Sequence, residues 1–167
     1  MIQSLASRRY FRLGLVYAAI VFLVDQASKL WFVDHLKLAD IEGGIEVLPI
    51  FKLVMVWNYG ISFGMFSNGD DASRRWILMA VAAIITIFML IWLWKARDGM
   101  LALGLGLVIG GAIGNVVDRL RWGAVADFFY FHYEEWYWPA FNIADSAIFI
   151  GVVLLCWDSI VNPEKNT

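Results

Sequence analysis

The residues of this chain that can do chemistry are carboxylates, amides and a few cations, because the other candidates lack partners. There are two histidines, His35 and His132, and one cysteine, Cys156. Without an HExxH pair a zinc protease has no ligand set, and a single cysteine excludes an internal disulfide framework or a cysteine-rich metal site. Gly60-Ile61-Ser62-Phe63-Gly64 matches the GxSxG pattern of a nucleophile elbow. That elbow needs a strand, a sharp turn and a helix within an α/β sheet, for which this chain has no room. Ser28 beside Lys29 resembles a Ser/Lys hydrolase pair, yet adjacent helical residues point in different directions. What remains is the carboxylates. Two aspartates sharing one proton can activate water and protonate a leaving amine, since like charges at close range cannot both ionise. Spacing alone does not select which two.

The elements that must position these groups follow from composition. Of 167 residues 61% are hydrophobic and 17% charged, against roughly half and about a quarter in a soluble chain. A disordered chain is therefore excluded, and a membrane protein is expected rather than a water-soluble globule. The net charge of −2 suggests no nucleic-acid partner. Four apolar stretches, at about 13–33, 76–94, 100–120 and 138–160, approach the ~20 residues that span a bilayer. They should be helices, because backbone polar groups in lipid must be satisfied internally. Arg8, Arg9 and Arg12 before a short apolar run resemble a cleavable signal. The run resumes as Leu30-Trp31-Phe32-Val33 after a polar band, so a retained first helix is expected. The expectation is one integral membrane domain over 1–167: an all-α polytopic fold with four transmembrane helices.

Basic residues orient it. Arg8, Arg9 and Arg12 precede the first span, Lys95 and Arg97 fill the turn between the second and third, and Lys165 lies in the tail. Placing these in the cytoplasm puts both termini there and leaves 34–75 and 119–137 outside. Within the longer outer segment, residues 45–66 are rich in β-branched and aromatic types and read as one or two short strands, a small β-rich cradle lying on the outer membrane face. The shorter segment, with Trp122, Tyr130, Tyr133, Trp136, Tyr137 and Trp138, reads as an aromatic belt at headgroup level.

Charged side chains inside a span cost about 2.5–3.5 kcal/mol each at the centre, so they call for a reason. With this orientation Asp25, Lys29, Asn115, Asp118, Asp127, Asn142 and Asp145 gather at one depth, just below the outer surface. Asn115 and Asp118 are three apart and should share a helix face, as should Asn142 and Asp145. Asp25 and Lys29, four apart, read first as a mutually neutralising ion pair. Gly106, Gly110 and Gly114 form a small-residue stripe for close helix packing. A transporter or channel subunit would continue its polar groups to the inner face, where spans two to four are apolar. A scaffold whose polar cluster only holds helices together is the other alternative.

Five blocks in order carry a resemblance: Asp25-Gln26-Ala27-Ser28-Lys29, Asn58 to Gly64, Gly111 to Arg119, Gly123 to Phe128, and Phe141 to Ser146. Together with four spans they resemble the signature blocks of the lipoprotein (type II) signal peptidases. The resemblance implies an intramembrane aspartic endopeptidase of the bacterial plasma membrane, the inner membrane in a Gram-negative cell. Its substrates are diacylglyceryl-modified prolipoproteins, cut just before the lipidated cysteine, and it needs no metal or other cofactor. It implies Asp127 and Asp145 as the catalytic pair. Asn115, Arg119 and Asn142 would line the site, and Asp25, Lys29, Asn58, Gly60 and Asp118 would support the site or the substrate groove. Membrane lipids are the expected surroundings, and a monomer the expected working unit.

Overall fold

The computed structural model describes residues 2–60 and 71–162. Four helices organise them: α1 (Ile2–Leu30), α2 (Asp71–Trp94), α3 (Gly99–Trp122) and α4 (Ile143–Val161). All four are long and apolar enough to cross a membrane, the first through a π-helical turn at Trp31–His35 that extends its span to Arg8–His35. Phe149 and Ile84 stay 70% and 66% exposed, which suits helices whose solvent is lipid rather than water. The chain is a multi-pass membrane protein.

Ile77, Ile84, Phe88 and Ile91 of α2 stay exposed, whereas α3 is the central helix and buries Ala102, Leu105, Val108 and Ile109 among its neighbours. Its small residues permit this. A Cβ on Gly106 or Gly110 would lie 2.6 Å from the Gly14 carbonyl oxygen and 2.5 Å from that of Ala18, both on α1, and one on Gly111 would lie 2.5 Å from the Ala144 carbonyl of α4. Backbones therefore approach directly. Gly114, the last of the stripe, serves a different purpose: a Cβ there would sit 2.5 Å from Asp25 Oδ2, so the glycine makes room for a buried carboxylate. At the opposite end Asp98 caps α3 by accepting from the Leu101 N–H at 2.9 Å, which terminates the tight turn after α2.

The sheet is larger than the sequence suggests. Four antiparallel strands, β1 (Ile45–Leu48), β2 (Phe51–Asn58), β3 (Val125–Tyr133) and β4 (Trp136–Tyr137), lie in the order β1-β2-β3-β4. Half of it comes from the segment read as an aromatic belt, although Trp136, Tyr137 and Trp138 do remain exposed. Residues 61–66, including Ser62 of the GxSxG match, lie outside the described residues.

α4 also starts later than expected. The N–H groups of Trp138 and Phe141 donate to the carbonyls of Phe131 and Phe129 on β3, so this backbone belongs to the sheet until Asn142 turns it. One buried acid departs from the common depth of the others. Asp158, 5% exposed near the far end of α4, accepts from the Asn162 amide at 2.8 Å.

Candidate active site

Three local devices deliver the polar groups to one place. The first is the end of α3. Gly123 adopts φ +82 and its N–H caps the Arg119 carbonyl, a left-handed ending that glycine takes without strain. β3 then starts at once, and the Ala126 N–H donates to Asp118 Oδ2 at 3.2 Å. Asp127 is thereby held within a few residues of α3 and 1% exposed.

The second device is the start of α4. Asn142 and Asp145 form a capping box: the Asp145 N–H donates to Asn142 Oδ1 at 2.9 Å, and the Asn142 N–H to Asp145 Oδ2 at 3.3 Å. Asn142 is thus not on the helix face where the three-residue spacing put it; its backbone is extended and it caps the helix. A further orphan N–H of this first turn, that of Ala144, donates to Asp25 Oδ1 of α1 at 2.9 Å. A carboxylate at a helix N-terminus is favoured by the unpaired N–H groups and the dipole.

The third device is the pairing of β2 with β3. Val56 stands opposite Asp127 and Asn58 opposite Val125, so Asn58 and Asp127 are diagonal neighbours on one face. The Asn58 amide donates to Asp127 Oδ2 at 3.0 Å, while its own oxygen accepts the Gly60 N–H at 2.8 Å. Gly60, at φ +86, takes the left-handed conformation this turn needs.

Asp127 and Asp145 therefore face one amide cluster. Asn142 Nδ2 donates to Asp127 Oδ1 at 2.7 Å, and Asn115 Nδ2 to Asp145 Oδ1 at 2.7 Å. Burial, and then repulsion from Asp145, pushes the Asp127 carboxyl up to about 7; the amides of Asn58 and Asn142 and the charge of Lys29 pull the other way. A carboxyl raised in this way can keep its proton near neutrality. Asp145 is half-buried and borders a groove of about 340 Å³ lined by Trp138, Phe141, Ser146, Phe149 and Ile150 as well. An apolar groove that ends on a carboxylate can seat a hydrophobic chain beside a polar reaction.

Behind the amides lies an ion cluster wider than the expected pair. Lys29 Nζ is 2.8 Å from Asp25 Oδ2 and 2.7 Å from Asp118 Oδ2, and all three side chains are fully buried. It also donates to Asn115 Oδ1 at 3.2 Å, and Gln26 links Asp118 and Asp25 at 2.9 and 3.2 Å. Gln26 is a member of the cluster that the sequence signals only by its place inside the polar band of the first span. The Ser28 hydroxyl donates to the Asp25 carbonyl at 2.6 Å, so neither Ser28 nor Lys29 is arranged as a hydrolase pair. Arg119, half-buried, donates to the Asn115 carbonyl at 3.2 Å, and its charge interacts with Asp145, Asp118 and Asp127.

Comparison with known proteins agrees with this architecture. Residues 17–161 match the sequence profile of signal peptidase (SPase) II. A lipoprotein signal peptidase of Rhodopseudomonas palustris (strain TIE-1) is 43% identical over 154 residues, covering 90% of this chain and 93% of its own. One from Shewanella oneidensis is 44% identical over 148 residues, covering 87% and 85%. A solved bacterial membrane enzyme superposes with a TM-score of 0.76 at 25% identity, covering 89% of this chain and 93% of that one.

Proposed function

The chain belongs to the signal peptidase II family, and from that premise we propose that Asp127 and Asp145 are the pair with which it removes signal peptides from prolipoproteins. The enzyme is an aspartic endopeptidase of the bacterial membrane. The observation that carries the assignment of the pair is the shared amide cluster. Two carboxylates from different elements, β3 and α4, are each tied to the same residue, Asn142. The substrate is a prolipoprotein with a diacylglyceryl group on its future N-terminal cysteine, cut just before that residue. Both termini lie in the cytoplasm, and the sheet rests on the outer face of the plasma membrane. A single chain within its lipid surroundings carries the full site. Incubating the purified protein in detergent with a diacylglyceryl-modified prolipoprotein should release the signal peptide. Intact substrate alongside an active control enzyme would overturn the reading and favour a scaffold.

The chemistry follows from one shared proton. The ionised carboxylate takes a proton from water as it attacks the scissile carbonyl, and the protonated partner supports the developing oxyanion; the proton then passes to the leaving amine. Amide donors around the pair stabilise the ionised form without supplying a competing acid. The acyl chains stay at lipid depth along the groove beside Phe149 and Ile150, while water reaches the pair from the sheet end.

Arg119 binds the substrate backbone in this scheme. Its guanidinium stays charged at any working pH and offers a fork of donors to carbonyl oxygens. Losing a hydrogen bond from a charged donor costs about 1.5–3 kcal/mol, so Arg119→Gln should lower kcat/KM by roughly ten- to a hundred-and-fifty-fold. Equal inactivity of a folded Arg119→Gln and an Asp145→Asn enzyme on one diacylated substrate would move Arg119 into the proton chemistry.

A further inference from the structure

Each of three asparagines at the pair has its oxygen pinned by a donor. In Asn58 the donor is the Gly60 N–H at 2.8 Å, and in Asn142 it is the Asp145 N–H at 2.9 Å. Both are backbone groups of the same turn, so these two amides are set by local folding. Asn115 differs. It lies within α3, and its oxygen is held by side chains alone: Lys29 Nζ at 3.2 Å and Asn142 Nδ2 at 3.3 Å. Asn142 Nδ2 is also engaged at shorter range by Asp127 at 2.7 Å and shares itself with the Ala126 carbonyl at 3.3 Å. Its hold on Asn115 is therefore the weaker one. Lys29 is a donor that cannot become an acceptor, and Asp25 and Asp118 fix it in place at 2.8 and 2.7 Å.

The geometry points to Lys29 as a positioning residue of the reaction: its ammonium holds the Asn115 oxygen so that the amide presents only its N–H to Asp145. Without that ammonium the amide can turn over and set its oxygen against the carboxylate. Asp145 would then lose its 2.7 Å donor and meet an oxygen in its place. The buried ion cluster thus reaches the reaction through one amide, and does more than tie helices together. This inference rests on the reading of Asp127 and Asp145 as the reacting pair.

The test is a mutant cycle on kcat in detergent with a diacylglyceryl-modified prolipoprotein, using Asn115→Ala, the charge-balanced double variant Lys29→Met/Asp118→Asn, and their combination. Removing one cation and one anion leaves the net charge of the cluster unchanged while the lock is lost. Asn115→Ala and the double variant should each lower kcat by about tenfold or more, with KM within about threefold of the parent enzyme. The combination should be no slower than the slower of the two within about threefold, because both remove the same link. Effects that multiply, a KM that changes as much as kcat, or a double variant that does not fold would each assign Lys29 to the fold alone and overturn the inference. An Asp145→Asn enzyme assayed in parallel separates the two claims, since full activity there would remove the pair itself and not merely its positioning.

Discussion

Asp127→Asn and Asp145→Asn should each lower turnover by about a hundred- to ten-thousand-fold, the range general acid–base catalysis contributes, while the protein still inserts and folds. Asn keeps the size of the side chain but cannot exchange the proton. The parent enzyme should show a bell-shaped dependence of kcat on pH. As pH falls, the ionised member of the pair takes up a second proton and the base is lost. As pH rises past the value of about 7 to which burial and then Asp145 push the Asp127 carboxyl, the shared proton leaves and the acid is lost. The pKa values read from such a bell belong to the pair rather than to either residue. A folded Asp127→Asn enzyme with near-parental turnover would remove Asp127 from the pair, and Asp118, bonded to Ala126 at 3.2 Å one residue before it, would be the next acid to test.

Much of this arrangement is legible in the sequence, because lipid imposes strict rules. Long uncharged runs can only be helices there, and every polar residue inside them costs enough to demand a partner. Asp25 and Lys29 duly meet as an ion pair at 2.8 Å. The second half of the sheet is harder to read. Val125, Ala126, Asp127 and Phe128 are all buried, so β3 lacks the polar–apolar alternation that marks a half-exposed strand. Its partner β2 lies far away in sequence, and aromatic residues suit both a strand and a headgroup belt. Asn142 carries a readable signal, an Asn three residues before an acid at the head of an apolar run, which a same-face argument obscures. The direct contact of Lys29 with a second carboxylate is not readable, since Asp118 meets it only through the glycine-mediated approach of α3 to α1.

That dependence on close approach sets the largest expected stability effect. Lys29→Met alone should cost about 3–5 kcal/mol, the loss seen when a buried pair is broken from one side. The methionine fills most of the volume but leaves Asp25 and Asp118 facing each other without a cation at full burial. Their remaining donors are Gln26, shared between them, and the N–H groups of Ala144 and Ala126. These satisfy lone pairs but do not cancel two charges. The damage should spread to the site: Asp25 holds the first turn of α4 through Ala144, next to Asp145, and Asp118 holds β3 next to Asp127. Lys29→Met/Asp118→Asn should recover more than half of the loss, because the one carboxylate left keeps its donors, the Ala144 N–H and Gln26, and no second charge faces it. Thermal unfolding of the three proteins in one detergent measures this directly. Equal midpoints for the parent and Lys29→Met would mean that the cluster carries no net burden of charge, and the account of why Lys29 is buried there would fail.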